Sequence, residues 1–461
     1  MDTQEKNELG TKPIGRLLFQ LAAPPITAQI INLLYNLVDR IYIGKIEGYG
    51  RVALTGLGVA LPVLMLITAF ASLVGSGGAP RASIFLGKKD KESAEKTLGN
   101  CVTMMFFISI ALTIIFSFFA EPMLLRFGAD AETIPYALEY IQIYVLGTIF
   151  VQISLGLNMF ITAQGFAKIS MLTVLVGAIT NIILDPIFIY GFNMGVKGAA
   201  WATIISQSLS AIWVMKFLLG KKTILKIKKE HLKLEAKIIL PALALGLAPF
   251  IMTATESILN ITFNTSLYKY GGNIAVGAMT ILTSVMQFTM LPIQGFTQGM
   301  QPIVGYNYGA GNINRVKKSF IIGFIVCMSY TTFMWSLNML CPHLFASLFA
   351  SAKDKDLIEY TAWAIRIYMG MSCLMGAQIA CQQTFVALGK AGSSLFLALL
   401  RKVILLIPAI YIMPMFFEDK AFAVFFAEPV SDCIAVTVTV SLFFFQFRKI
   451  AKGFEKTKKI V

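Results

Sequence analysis

Apolar residues in this 461-residue chain are gathered into runs, many about 20 residues or longer, the length an α-helix needs to cross the hydrocarbon core of a bilayer. Twelve such runs can be read, near 17–43, 53–86, 99–120, 134–163, 168–190, 198–219, 238–268, 275–307, 319–341, 358–386, 392–414 and 420–446. Only 14% of the residues are charged and the mean hydropathy is +0.73; a soluble chain of this size would carry about a quarter charged residues. The first 16 residues are polar, and the long run after them has no small-residue cleavage site. It is read as a retained helix, not a signal peptide. The expected fold is all-α, a polytopic membrane protein.

The formal net charge of +15 invites a nucleic-acid reading, but its distribution speaks against one. With a cytoplasmic N-terminus, Lys and Arg number three before the first run, five in 81–96, one at Lys168, seven in 221–237, three in 315–318, one at Lys390 and six in 448–459. These alternate segments hold 26 of the 39. Basic residues on alternate loops orient a membrane protein and touch anionic lipid. The expectation is a multi-pass protein of the cell membrane, with both termini cytoplasmic, lipid as a partner and no nucleic acid. The most basic loop, 220–237, is amphipathic and reads as an interfacial helix joining two halves.

The chain repeats itself. Pro80 and Pro302, Gly87 and Gly309, Lys168 and Lys390, and Pro186 and Pro408 are each 222 residues apart. Agreement at punctuating residues indicates a duplicated unit of six helices. An even number of spans starts both copies on the same side, so the halves should be related by an axis along the membrane normal, as in many transporters. The expected division is a six-helix bundle in 1–219, a cytoplasmic linker in 220–237 and a second bundle in 238–461.

Ionisable groups inside spans are expensive and are functional candidates by default. Asp39 stands in "YNLVDRIYIG" and Asp185 in "TNIILDPIFI". Asn181 lies four residues before Asp185, on the same helix face. Pro186 removes a backbone donor and should bend the helix there. Together with Thr203, these groups supply the oxygens a small cation prefers, so Na⁺ at Asp39, Asn181 and Asp185 is one possibility. Desolvation would equally let a carboxyl there carry a proton. The second half departs from this pattern, with Ile407 and Val403 at the equivalent positions. It carries Glu256 after Pro249, and Glu428 and Asp432 on one face. Arg401 and Lys402 are the counter-charges expected for an internal ion-pair network, with Pro408 as a helix bend. Glu256, Gln287, Gln378 and Gln382 are the polar candidates for a substrate site, among walls of Met and Phe that can repack around varied ligands.

No G-x-x-x-x-G-K-[ST], H-E-x-x-H or G-x-S-x-G occurs, and the two histidines, His231 and His343, fall in loops. No enzyme and no cofactor is expected beyond a coupling ion. The six cysteines form no C-x-x-C pair and read as buried, reduced thiols. "GSGG" at 75–78 reads as a place where helices approach closely.

The paired six-helix halves, "NLVDRIYIGKIEG", "NIILDPIFI" and "GAAWATIISQ" together resemble the multidrug and toxic compound extrusion family across essentially the whole chain. The resemblance implies twelve transmembrane helices in two pseudo-symmetric bundles set as a V. It also implies export of cationic, amphipathic drugs or dyes in exchange for Na⁺ or H⁺, by a monomer. In prokaryotic members the first-half ion site resembles Asp39, Asn181, Asp185 and Thr203 here. In another branch a Glu of the seventh helix takes part, a place Glu256 fits. That branch also has an Asp in the tenth helix, where this chain has Gln378, Gln382 and Gln383; the departure shifts weight to the first half. Two other classes stay open: a flippase for lipid-linked precursors of the same superfamily, and a non-transporting membrane scaffold.

Overall fold

The computed structural model describes residues 8–350 and 354–460, and every regular element among them is helical. In hydrocarbon a backbone must satisfy its own hydrogen bonds, which a helix does within one segment. The first six spans are α1 (Ile14–Gly44), α2 (Gly50–Gly87), α3 (Lys91–Arg126), α4 (Ile134–Ala163), α5 (Ala167–Gly191) and α6 (Gly195–Leu218). The next helical run, Ala236–Gly309, is too long for one crossing. Gly272 within it has φ 66° and ψ −162°, which a side-chain-bearing residue resists, so the chain turns there. The run is therefore two spans, α7 (236–271) and α8 (273–309). Then come α9 (Ile313–Leu340), the bent pair Lys355–Tyr368 and Ser372–Ala387 that makes α10, α11 (Ala391–Met415) and α12 (Lys420–Ile460). These are the twelve spans expected from the apolar runs.

One buried apolar cluster draws on residues between Ile43 and Ala242, including Ile67, Met105, Phe116 and Phe160. A second draws on residues between Leu259 and Ala427, including Phe263, Leu282, Ile365 and Phe425. A third, with Leu17, Leu21, Met300, Ile303 and Val304, ties α1 to α8. Large apolar side chains such as Phe118, Phe119, Leu340 and Phe445 are exposed, as a lipid-facing surface requires.

The halves meet along a seam of small residues. A Cβ on Gly87 would press into the carbonyl oxygen of Tyr306, and one on Gly309 into that of Ile84. Ile84 and Tyr306 are themselves 222 residues apart, so the contact reproduces the sequence repeat. Gly77 likewise approaches Ala242 on α7, and its counterpart Gly299 approaches Leu21 and Ala22 on α1. Lipid gives helices no hydrophobic reason to associate, so close backbone packing over small residues must hold them. All these contacts lie at the end of the molecule that bears the basic loops 81–96, 221–237 and 315–318.

The linker differs from expectation. Residues 220–235 hold one short 3₁₀ turn, Lys229–His231, and no interfacial helix. Its backbone groups are engaged by side chains of the first bundle. Gln164 Oε1 accepts from the Thr223 hydroxyl and from the N–H groups of Ile224 and Leu225, at 2.8, 2.8 and 2.9 Å. The Thr103 hydroxyl donates to the Leu232 carbonyl at 2.7 Å, and Asn100 Oδ1 accepts from the Glu235 N–H at 2.6 Å. Buried Glu95 takes the Lys228 ammonium at 2.6 Å. Backbone groups held this way are not available for helical bonds.

Smaller differences follow the same logic of surroundings. His231 is buried within the linker, and His343 lies in a short helix, Pro342–Phe349. All six cysteines are free, but Cys341 and Cys433 are exposed, because an apolar side chain here can face lipid as well as the core. The start of α3 is capped by Asp90, which accepts from the Ser93 N–H at 3.0 Å. The bonds from Ser93 hold the Asp90 carboxyl below the usual carboxylate range. Of the basic residues counted above, Lys6 lies outside the described residues.

The seam makes a simple prediction. Gly87→Ala and Gly309→Ala should each destabilise the protein by about 1–3 kcal/mol through overpacking. Gly15→Ala, where an added Cβ meets only open space, should be neutral. Thermal unfolding of the purified variants distinguishes these outcomes.

Candidate ion-coupling site

Asp39 sits near the C-terminal end of α1, and Asp185 on the last α-helical turn of α5, before Pro186. Pro186 has no N–H to continue the ladder, and the chain passes into a π-helical turn, Ile187–Gly191. Asp185 is wholly buried and Asn181 nearly so. Asn181 Nδ2 donates to Asp185 Oδ1 at 3.2 Å and to Thr203 Oγ1 at 3.5 Å. Thr203 in turn donates to the Ala199 carbonyl at 2.9 Å. The Asp39 carboxyl lies close enough to that of Asp185 for the two to interact electrostatically. Three helices therefore bring together the four residues proposed from sequence.

The cluster is short of donors. Asp39 Oδ1, Asn181 Oδ1 and Asp185 Oδ2 are buried without a hydrogen-bond partner. Buried polar atoms are almost always paired, so three unpaired acceptors in one place call for a cation or a proton. Beside them is a cavity of about 40 Å³, lined by Asn32, Tyr35, Asn181, Thr203, Ser206 and Gln207 among others. That is room for roughly three waters, so it suits an ion and its hydration, not a drug. Among the described residues no group of three or more His, Cys, Asp or Glu forms a metal site. The donor set here is two carboxylates, an amide and a hydroxyl, which suits a weakly held monovalent ion or a proton.

The structure adds residues that the sequence reading passed over. The Tyr140 hydroxyl is 3.5 Å from Thr203 Oγ1, and Ser154 donates to Gln207 Oε1 at 2.6 Å. Tyr35 stands one helical turn before Asp39, within electrostatic reach of both carboxyls. Its spacing was a usable signal; Tyr140 and Ser154 come from α4, and no local pattern announces them.

The second half is built differently. Arg401 Nε donates to Asp432 Oδ1 at 2.7 Å, and Arg401 Nη2 to Glu428 Oε1 at 2.9 Å. Lys402 does not join them: it pairs with Glu256 and donates to the Met252 carbonyl at 3.0 Å. Arg401 and Lys402 lie in a π-helical stretch, Leu400–Leu406, that runs up to Pro408. Pro249 sits inside α7, one turn before Met252 and Thr253. Gln382 is buried and contacts the Met252 sulfur at 3.3 Å; Gln378 is buried; Gln287 is exposed.

Two bundles of six spans, each with carboxylates buried inside it, define the class as a multi-pass membrane transporter. The chain belongs to the MatE family, whose model matches it twice, over residues 24–187 and 249–412; the two matches are the duplication. It is 24% identical to the multidrug export protein MepA of Staphylococcus haemolyticus over 438 residues, covering 93% of this chain and 94% of that one. To MepA of Staphylococcus aureus it is 24% identical over 407 residues, 87% of each. Its fold matches a multidrug resistance MATE family transporter of the MOP superfamily in an outward-facing conformation, with a TM-score of 0.90 at 22% identity, covering 98% of this chain and 99% of that one. It also matches a MATE transporter in a bent conformation, with a TM-score of 0.91 at 22% identity, covering 98% and 100%.

Removing one partner of a buried ion pair leaves an uncompensated charge. Arg401→Met should therefore cost about 3–5 kcal/mol. The triple variant with Glu428→Gln and Asp432→Asn should recover most of that loss, as read from thermal unfolding. A single variant as stable as the unmodified chain would contradict the pairing.

Proposed function

We propose that the chain is a secondary active multidrug antiporter of the cell membrane. It exports cationic, amphipathic compounds in exchange for Na⁺ or H⁺, with both termini in the cytoplasm. The observation that carries the reading is the set of three unpaired buried oxygens on Asp39, Asn181 and Asp185, beside a cavity of ion size. The relatives named as multidrug export proteins support small-molecule drugs as the cargo. The positive-inside pattern supports the orientation.

The halves pack closely at their basic end; with that end in the cytoplasm, the opposite end is the one that would open outward. A cation entering from outside meets the Asp39–Asp185 pair and supplies the positive charge that it lacks. Loading pulls Asp39 of α1 toward Asp185 of α5, which is tied to α6 through the Asn181–Thr203 contact. Drug release and cation binding then bias one two-state equilibrium in opposite directions, and neither ligand needs to occupy the other's site.

The test is uptake of a fluorescent cationic dye into inverted proteoliposomes, first with a Na⁺ gradient alone and then with a pH gradient alone. One gradient should drive uptake, and Asp185→Asn should abolish it while leaving the protein folded and inserted. Uptake that survives in Asp185→Asn would remove the carboxylate from the coupling role.

A further inference from the structure

The charged cluster inside the second bundle holds one more carboxyl than it has cations to match. Glu256, Glu428 and Asp432 face Arg401 and Lys402. Asp432 is held by Arg401 Nε at 2.7 Å, and Glu256 by Lys402. Glu428 shares the same guanidinium through Oε1 alone, at 2.9 Å. Its other oxygen, Oε2, is buried with no hydrogen-bond partner, in a residue only 5% exposed. With every member ionised, the cluster would carry an uncompensated negative charge among helices that face lipid, which is costly. The groups in electrostatic reach of Glu428 are Arg401 and Lys402 on α11, Asp432 on α12, Glu256 on α7 and Tyr368 on α10. None of them places a donor on Oε2.

We propose that Glu428 is a proton-carrying site of the second bundle, and that it gives up its proton when an organic cation takes Glu256 from Lys402. The proposal rests on the export reading above and supplies it with a second exchange site. Glu256 is the member a ligand can reach: its side chain is 51% exposed, against 6% for Lys402. A monovalent organic cation that binds this carboxylate frees the Lys402 ammonium. Glu428 interacts electrostatically with Lys402 and keeps Oε2 unsatisfied, so it is the acceptor offered to the freed ammonium. As Lys402 arrives, the O–H bond on Oε2 breaks and the proton passes to water. Before the exchange the pairs are Glu256 with Lys402 and Asp432 with Arg401, and Glu428 is neutral. Afterwards they are the organic cation with Glu256, Lys402 with Glu428, and Arg401 with Asp432. Both states are neutral, and one proton leaves for each cation bound.

The experiment counts protons. Tetraphenylphosphonium is titrated into purified protein in weakly buffered detergent solution, with bound ligand followed by dialysis and released protons by an indicator dye. An Asp39→Asn/Asp185→Asn background silences the first bundle. The expected result is about one proton released per ligand bound, lost in Glu428→Gln and restored in Glu428→Asp. Release that persists in Glu428→Gln, or binding without release in the background chain, would overturn the proposal. If Glu428→Gln does not fold, the affinity of the background chain decides: a change of about tenfold per pH unit supports the site, and a flat profile overturns it. Absence of tetraphenylphosphonium binding to the unmodified chain would instead overturn the export reading, and this proposal with it.

Discussion

A buried charge in this protein has no water to turn to, and most of the architecture answers that one fact. The backbone closes its own hydrogen bonds in twelve helices. Each ionisable side chain inside the helices must then be neutralised by a neighbour, a proton or a bound ion. The two bundles use different answers. The first leaves oxygens of Asp39, Asn181 and Asp185 without a partner. The second supplies Arg401 and Lys402 as resident cations. One scaffold, duplicated, thus carries a site that needs a charge from outside and a site that brings most of its own.

The duplication governs how the bundles join. Gly87 meets the Tyr306 carbonyl and Gly309 the Ile84 carbonyl, and the four positions map onto one another under the repeat. A contact that is its own symmetry mate forms only if both copies keep a small residue at the equivalent place. The same close approach explains why the seam needs no large apolar side chains: backbone packing stands in for the hydrophobic effect, which lipid removes. The apolar clusters of the two halves meet at this seam, where Ile239 and Ala242 of α7 join the first cluster and Leu21 of α1 joins Met300 of α8.

Legibility followed the range of each signal. Span number and limits were readable because hydropathy is a local average, and Gly272, the residue that divides the long run, falls in the gap the sequence left between spans seven and eight. The repeat was readable at its punctuating residues. Asp185 and Asn181 were readable because four residues on a helix fix a shared face. Tyr140 and Ser154 were not, since α4 reaches the site only through tertiary packing. The linker misled because an amphipathic pattern cannot reveal that Gln164, Asn100 and Thr103 will claim its backbone. The partner of Lys402 was hidden for a related reason. Adjacent residues on α11 point to different helices, so Arg401 faces α12 and Lys402 faces α7.

That divergence gives the second bundle its character. Had both cations faced Glu428 and Asp432, the network would be closed, with two charges of each sign fixed in place. Instead Lys402 leans toward α7 and leaves Glu428 with half of a shared guanidinium. The π-helical stretch at Leu400–Leu406 accommodates this, because an extra residue in the turn redirects successive side chains. A closed network would only pin helices together. An open one, with a half-exposed carboxylate at one edge and an unpaired oxygen at the other, can pass a charge from its exposed edge to the core of the bundle without ever holding a net charge in the membrane.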